Sequence, residues 1–243
     1  MSRRKSVSGA VQSVIESLEQ RRMLSVSSSL SRGGTLDVEG TRRSDTITLT
    51  KTSDGHVDVS VNGAHTLYSA KRVKRVFVNG GMGNDDVAIS NSSGGIAAPR
   101  NIVGGGGDDT LVGGKGSDSI EGDAGDDSID GRDGTDTESG GDGNDTVVGG
   151  AGDDSLDGGN DNDSVEGDLG DDSVNGDAGD DDVDGGDGED SVIGGGGADT
   201  FHSNHDGQNE QHDNGNGDHE DDGSNDVQDL LTGKSPANGV FAG

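Results

Sequence analysis

An aspartate recurs at every ninth residue over the central part of the chain. The series begins at Asp109 and continues without interruption to Asp199. A carboxylate is a hard oxygen ligand, and Ca²⁺ takes about six to eight oxygens from carboxylates and main-chain carbonyls. Because the chain has 0 cysteines, thiolate metal sites, disulfides and cysteine nucleophiles are excluded, which favours an oxygen-ligated cation. The series is Asp109, Asp118, Asp127, Asp136, Asp145, Asp154, Asp163, Asp172, Asp181, Asp190 and Asp199.

These aspartates belong to 11 consecutive nine-residue units that span residues 104–202, such as GGGGDDTLV and GGAGDDSLD. Every unit has Gly at position one and Asp at position six, and position eight is aliphatic or Phe in all units but one. A detached copy, GGMGNDDVA at residues 80–88, adds Asp85, and GTRRSDTIT at residues 40–48 is a degenerate copy. The position-one glycines are Gly104, Gly113, Gly122, Gly131, Gly140, Gly149, Gly158, Gly167, Gly176, Gly185 and Gly194.

The composition excludes a thick hydrophobic core. The 243 residues include 49 acidic and 17 basic side chains, for a net charge of −32, and only 25% are apolar, against about 45 to 50% in typical globular domains. Residues 1–100 carry a net charge of +5 and residues 101–243 a net charge of −37. This acidic part would repel nucleic acid, and no apolar run approaches the roughly 18 residues of a membrane span. Its expected partners are cations.

The units follow the pattern G-G-x-G-x-D-x-U-x, so the chain resembles the RTX, or hemolysin-type calcium-binding, repeat family. The resemblance implies an all-β fold, a right-handed parallel β-roll in which two units form one coil. It also implies that Ca²⁺ ions lie between neighbouring turns of two stacks, at about nine interior sites. The ligands are expected from Asp85, the aspartate series and the turns that begin at the position-one glycines.

The elements that position these groups follow from the same pattern. Positions one to six predict a tight turn, in which Gly permits positive φ and close approach of carbonyls, and positions seven to nine predict a short strand. Position eight should face inward, but Glu138 occupies it in the fourth unit. Because an unpaired buried carboxylate is costly, we expect a distorted coil or an outward side chain there, and the least regular ligand set at residues 131–138. The other inward residues are Leu111, Ile120, Ile129, Val147, Leu156, Val165, Val174, Val183, Val192 and Phe201.

The flanks predict three further segments. Residues 1–34 predict a leader or export segment that is partly helical or disordered. Within it, SLEQRRMLS resembles an LEPRxLL-type element of exported or surface bacterial proteins. The alternative is a leader helix with no sorting role. Residues 35–103 show alternating apolar residues and turn signals typical of an N-terminal β-segment. Residues 203–243 predict an acidic disordered tail. Its three histidines, together with His202, leave a transition-metal site as an alternative.

No H-E-x-x-H, G-x-S-x-G or P-loop motif is present, so we predict that the protein is not an enzyme. The sequence favours a bacterial calcium-binding β-roll, secreted or at the cell surface, that folds on calcium binding outside the cell. One alternative is an adhesion or extracellular-matrix protein that uses the roll as a spacer and contacts an unidentified surface or matrix partner. The other is an acidic ion-buffering polyelectrolyte that never folds.

Overall fold

The computed structural model describes residues 27–90, 95–96, 98–202, 211–213 and 219–221, the last two segments as strands only. The predicted helix and LEPRxLL-like element of residues 1–26 lie outside the described residues. So do residues 203–210, 214–218 and 222–243 of the predicted tail, with His205 among them. The side chains of His212 and His219, in the last two described segments, are not described either.

Twenty-one strands and one short 3-10 turn, Ala70–Arg72, make up the described secondary structure. The strands are β1 Ser27–Leu30, β2 Thr35–Thr41, β3 Thr46–Lys51, β4 His56–Val61, β5 Ala64–Ser69, β6 Arg75–Met82, β7 Asp86–Ser90, β8 Arg100–Gly106, β9 Thr110–Lys115, β10 Asp118–Ala124, β11 Ser128–Asp133, β12 Thr137–Asp142, β13 Thr146–Ala151, β14 Ser155–Asn160, β15 Ser164–Leu169, β16 Ser173–Ala178, β17 Asp182–Asp184, β18 Ser191–Ile193, β19 Thr200–His202, β20 Gln211–Asp213 and β21 His219–Asp221. Within these described ranges, no helix has the length and apolar character to cross a membrane.

From β6 onward, successive strands alternate between two parallel sheets. One sheet has the order β1-β2-β6-β8-β10-β12-β14-β16-β18-β20, and the other has the order β21-β19-β17-β15-β13-β11-β9-β7-β3-β4-β5. In the repeats each strand pairs with the strand 18 residues further on, as Ile129 does with Val147. Two nine-residue units therefore form one coil of a solenoid. The predicted all-β fold with a parallel β-roll is confirmed.

The core of the repeats is a single column of position-eight side chains. Alternate residues of a strand face opposite sides of the sheet, so position eight turns inward between two exposed or half-buried neighbours. All ten apolar residues predicted for this column are buried, from Leu111 at 0% exposed to Phe201 at 2%. The core is thus one side chain thick, as the sequence predicts.

The chain before the repeats forms coils of the same solenoid. Strands β2 and β6 extend the first sheet, and the residue pairs Thr41 with Gly81 and Gly81 with Gly105 bring both outlying nine-residue copies into register with the repeats. The extra chain between these two copies includes the antiparallel β4–β5 hairpin. At this end a hydrogen bond of 2.9 Å joins the hydroxyls of Ser28 and Tyr68, which belong to β1 and β5.

The turns stack closely, and position two in every repeat unit and position four in most of them have the positive φ typical of glycine. Gly105 has a φ of 112°, and a Cβ at this position would clash with the carbonyl oxygen of Gly81 one coil earlier. Five residues other than Gly adopt positive φ at these two turn positions. Asp161, which replaces the position-four Gly, has a φ of 74°, consistent with the tolerance of Asp for the left-handed region. They are Asp123, Arg132, Asp161, Asp168 and Asp177.

Candidate metal centres

The position-six aspartates form two buried ladders, one along each side of the roll. In both ladders the main-chain N–H of an aspartate donates to Oδ1 of the aspartate one coil further on, over 2.7 to 3.0 Å. Every member is at most 4% exposed. The first ladder contains Asp45, Asp85, Asp109, Asp127, Asp145, Asp163, Asp181 and Asp199; the second contains Asp118, Asp136, Asp154, Asp172 and Asp190.

The second carboxylate oxygen of these aspartates is not used by the ladder. In ten of them Oδ2 is buried and accepts no hydrogen bond. A buried acceptor without a partner costs free energy, and an ionised one costs more. Such a row of unsatisfied oxygens in a native fold requires a cation or a proton. The ten are Asp85, Asp109, Asp118, Asp127, Asp136, Asp145, Asp154, Asp163, Asp172 and Asp181.

Each of these oxygens faces a space that exists because position one is glycine. At Gly113, a Cβ would lie 2.7 Å from Oδ2 of Asp118 and 2.8 Å from the carbonyl oxygen of Gly131 in the next coil. Gly113 does not have positive φ, so the requirement for glycine here is for space, not for backbone conformation. We call this space, bounded by the aspartate Oδ2 and the next coil's position-one carbonyl, a cradle.

The same two oxygens bound a cradle in ten units among the described residues, nine of them within residues 104–202 and one in the detached copy. At Gly185 and Gly194 the three nearest atoms belong to the aspartate of the same unit, Asp190 or Asp199. The ten cradle glycines are Gly80, Gly104, Gly113, Gly122, Gly131, Gly140, Gly149, Gly158, Gly167 and Gly176. The structure therefore brings all the predicted position-one glycines and position-six aspartates together in pairs.

Burial raises the pKa of the ten cradle aspartates above its ordinary value. The pKa rises to about 7 for four of them, even though each accepts a main-chain hydrogen bond that acts in the opposite direction, and neighbouring carboxylates raise it further. These four are Asp85, Asp127, Asp163 and Asp172. Burial also raises the pKa of Asp154 to about 6, and that of Asp118 to about 6 although Arg100 lowers it. Without a bound cation, the folded ladders would hold protons near neutral pH.

The donor set of a cradle fits calcium. Carboxylate and carbonyl oxygens are the hard ligands that Ca²⁺ takes, at about 2.3 to 2.6 Å. Along the described part of the chain, no group of three or more His, Cys, Asp or Glu side chains is arranged to hold a metal ion. Each cradle combines the carboxylate of a position-six aspartate with a main-chain carbonyl oxygen. Gly and Asp at positions one and six are therefore the residues that would hold the ion.

Protein groups close the N-terminal ends of both ladders. Asp45 accepts hydrogen bonds from Asn62 Nδ2 at 2.6 Å and from the main-chain N–H and hydroxyl of Thr41 at 2.7 and 2.8 Å. In the second ladder, the buried Arg100 donates from Nε to Oδ1 of Asp118 at 2.5 Å, and from Nη2 to the carbonyl oxygens of Lys115 and Gly116. The sequence interpretation missed both roles. The signal for Arg100 was its position 18 residues before Asp118.

Glu138 corrects one expectation from the sequence. Its side chain does not swing outward: it is 1% exposed and lies in the inward column, paired in register with Ile120 on one side and Leu156 on the other. The coil is not distorted either, because parallel strands on both sides fix its register. Burial, reinforced by nearby carboxylates of which Asp136 is the strongest, raises the pKa of Glu138 to about 9.

Comparison with protein families agrees with this geometry. A family model described as the RTX calcium-binding nonapeptide repeat (4 copies) matches residues 103–138, 139–174 and 166–201. No curated protein matches the chain. The family predicted from the spacing of glycine and aspartate is confirmed, and residues 103–201 of this chain are RTX calcium-binding nonapeptide repeats.

Proposed function

We propose that this protein is a calcium-dependent structural β-roll that folds outside a bacterial cell, as a secreted or surface protein, when Ca²⁺ fills its cradles. The observation that carries the proposal is the set of ten buried Oδ2 atoms, each without a hydrogen bond and each facing the carbonyl oxygen of the next coil. One ion in each cradle gives about ten ions. The detached copy at residues 80–88 adds one to the nine expected from the repeats alone.

The need for calcium follows from what the repeats lack. Their inward column is one side chain thick, while their two ladders place carboxylates in buried rows. Chain entropy opposes the ordering of so many glycines, and the carboxylates repel one another when ionised. A cation in each cradle satisfies the free carboxylate oxygen and neutralises its charge. Metal binding and folding are then one reaction.

The location follows from affinity and charge. Extracellular calcium modules bind with affinities of about 10⁻⁴ to 10⁻³ M. A chain with a net charge of −37 over residues 101–243 expands by self-repulsion where calcium is scarce, which suits export in an unfolded state. Folding would follow where calcium is abundant. The proposed role is structural and not enzymatic.

A calcium titration of the full chain tests the proposal. Circular dichroism should gain β signal, and small-angle scattering should show contraction, as calcium rises to about 10 mM. Titration with Mg²⁺ is the control, because this ion demands a nearly ideal octahedron and gives up its waters reluctantly. If calcium binds without any gain of β signal or contraction, the polyelectrolyte alternative is correct. If no calcium binds, the proposed function is wrong.

A further inference from the structure

The fourth repeat unit differs from the others in having a second acidic side chain at its cradle. We propose that Glu138 is an additional calcium ligand at the Gly131 cradle, and that this cradle is the tightest calcium site of the roll. This inference rests on the proposed function. It gives one site a second acidic ligand, at a position where the repeat pattern has an apolar residue.

Three oxygens from three different residues surround the same small space at Gly131. A Cβ built on Gly131 would lie 2.7 Å from Oδ2 of Asp136 and 2.8 Å from the carbonyl oxygen of Gly149. It would also clash with Oε1 of Glu138, the nearest atom of all. The Glu138 carboxyl is therefore directed into the cradle and not away from it.

The corresponding cradle one coil earlier shows what Glu138 replaces. At Gly113 the first two neighbours are equivalent, Oδ2 of Asp118 and the carbonyl oxygen of Gly131. The third neighbour is Cδ1 of Ile120, at 3.1 Å from the same built Cβ. A methyl group in one coil and a carboxylate oxygen in the next thus occupy equivalent places. Position eight reaches the cradle in both coils, but only Glu138 brings an oxygen to it.

Glu138 is not satisfied by any protein group. Both of its carboxyl oxygens are buried and without a hydrogen-bond partner, and its side chain is 1% exposed. Arg100, the one buried basic side chain among the described residues, forms its ion pair with Asp118. An aliphatic residue, as at Leu156 in the following coil, would avoid the cost of burying a carboxyl group. A cation in the Gly131 cradle offsets that cost because it gives the carboxylate a partner.

The extra charge sets the order in which the sites fill. Calcium affinity rises with the number of charged ligands in an otherwise similar site. The Gly131 cradle has two carboxylates, from Asp136 and Glu138, where the Gly113 cradle has one carboxylate and a methyl group. As calcium rises, the Gly131 cradle therefore fills before its neighbours.

Calorimetric calcium titrations of the full chain and of two variants test this inference. Glu138→Gln keeps the shape and removes the charge, and Glu138→Leu restores the aliphatic residue found at Leu156. We expect the natural chain to bind about one ion with a Kd at least about tenfold below that of the others. In both variants the Gly131 cradle keeps the Asp136 and Gly149 oxygens of an ordinary cradle. The tight class of site should therefore disappear, while the number of bound ions stays at about ten.

The rival explanation is that Glu138 is a buried neutral acid that never contacts the ion. In that case Glu138→Leu would leave the binding curve unchanged, or the natural chain would show no tighter class of site, and either result overturns the inference. Circular dichroism at saturating calcium checks that the variants fold. Failure of both to fold would also contradict the inference, since it assigns Glu138 to one cradle among ten. If the natural chain binds no calcium, it is the proposed function that fails.

Discussion

The N-terminal coils, residues 27–103, and the repeat coils, residues 104–202, share one solenoid but are stabilised by different interactions. Among the residues that the structure describes, the N-terminal coils bury fifteen apolar side chains, and the repeat coils, although longer, bury ten. Their net charges are +2 and −29. The first ladder aspartate, Asp45, has protein donors for both oxygens, whereas Asp109 in the repeats has one free buried oxygen. Under the proposed function, apolar packing holds the first region, whereas the second folds when cations fill its cradles.

Removal of calcium should have the largest effect, because it should unfold the repeat coils and leave the N-terminal coils folded. In excess EDTA at neutral pH, we expect the repeat coils to lose protection against hydrogen exchange while β2, β3 and β4 keep it, since their core does not depend on the cradles. Hydrogen exchange with mass spectrometry resolves the two regions. Equal loss of protection in both would show that apolar packing does not hold the N-terminal coils by itself.

Acidification should stabilise the metal-free repeats. Burial raises the pKa of Asp127 and Asp163 to about 7, above their unfolded values near 4. The folded state therefore binds more protons, so this contribution to stability is full below about pH 4 and is lost as the pH rises through about 7. Circular dichroism in EDTA should show β signal increasing from pH 8 to pH 5.

Calcium should reverse that pH dependence. Protons compete with the ion for the same carboxylates, so the calcium concentration at half-folding should increase as the pH falls from 8 to 5. A metal-free chain that loses β signal on acidification would contradict the buried ladders.

Substitution of single ladder aspartates should distinguish the aspartates of the cradles from Asp45, whose oxygens accept hydrogen bonds from Thr41 and Asn62. Asp145→Asn retains an acceptor for the main-chain N–H of Asp127 but removes the charge from the Gly140 cradle. We expect about one fewer bound ion and a calcium midpoint raised by about threefold to tenfold. Asp45→Asn, the matched control, should lower stability without changing the number of ions bound. Loss of an ion in the control would mean that the ladder end also holds calcium.

Filling one cradle should have the smallest of these effects. In Gly149→Ala the added methyl would lie 2.7 Å from Oδ2 of Asp154 and 3.0 Å from the carbonyl oxygen of Gly167. We expect the calcium-bound form to lose about 1 to 3 kcal/mol in the free energy of unfolding. Gly106→Ala is the control, because a Cβ there meets nothing within 4 Å. Equal melting temperatures for the two variants in calcium would show that the cradle is not needed.

Much of the repeat region could be predicted from the sequence because its period is fixed. Nine residues per unit determine which side chains turn inward and which aspartates share a ladder, so both stacks follow from counting. The same counting could not place Asp45 and Asp85 on the first ladder, because the chain between the copies contains the β4–β5 hairpin and other inserted residues. Local patterns do not show how an insertion is accommodated.

Two side chains show a different limit of sequence interpretation. Glu138 faces inward, against expectation, because the register of its neighbours outweighs its own cost of burial. Arg100 caps the second ladder with its guanidinium group, a contact that depends on where β8 begins relative to β10. Both outcomes are decided by packing between coils, which residue type alone does not reveal.

A crystal structure of the calcium-loaded full chain, with anomalous scattering used to locate the ions, would show directly whether calcium occupies the cradles. We expect about ten calcium peaks, each between a position-six carboxylate and the carbonyl oxygens of stacked turns, with one at Gly131 that also contacts Glu138. A folded roll whose aspartates remain buried while the cradles contain no calcium would contradict this expectation.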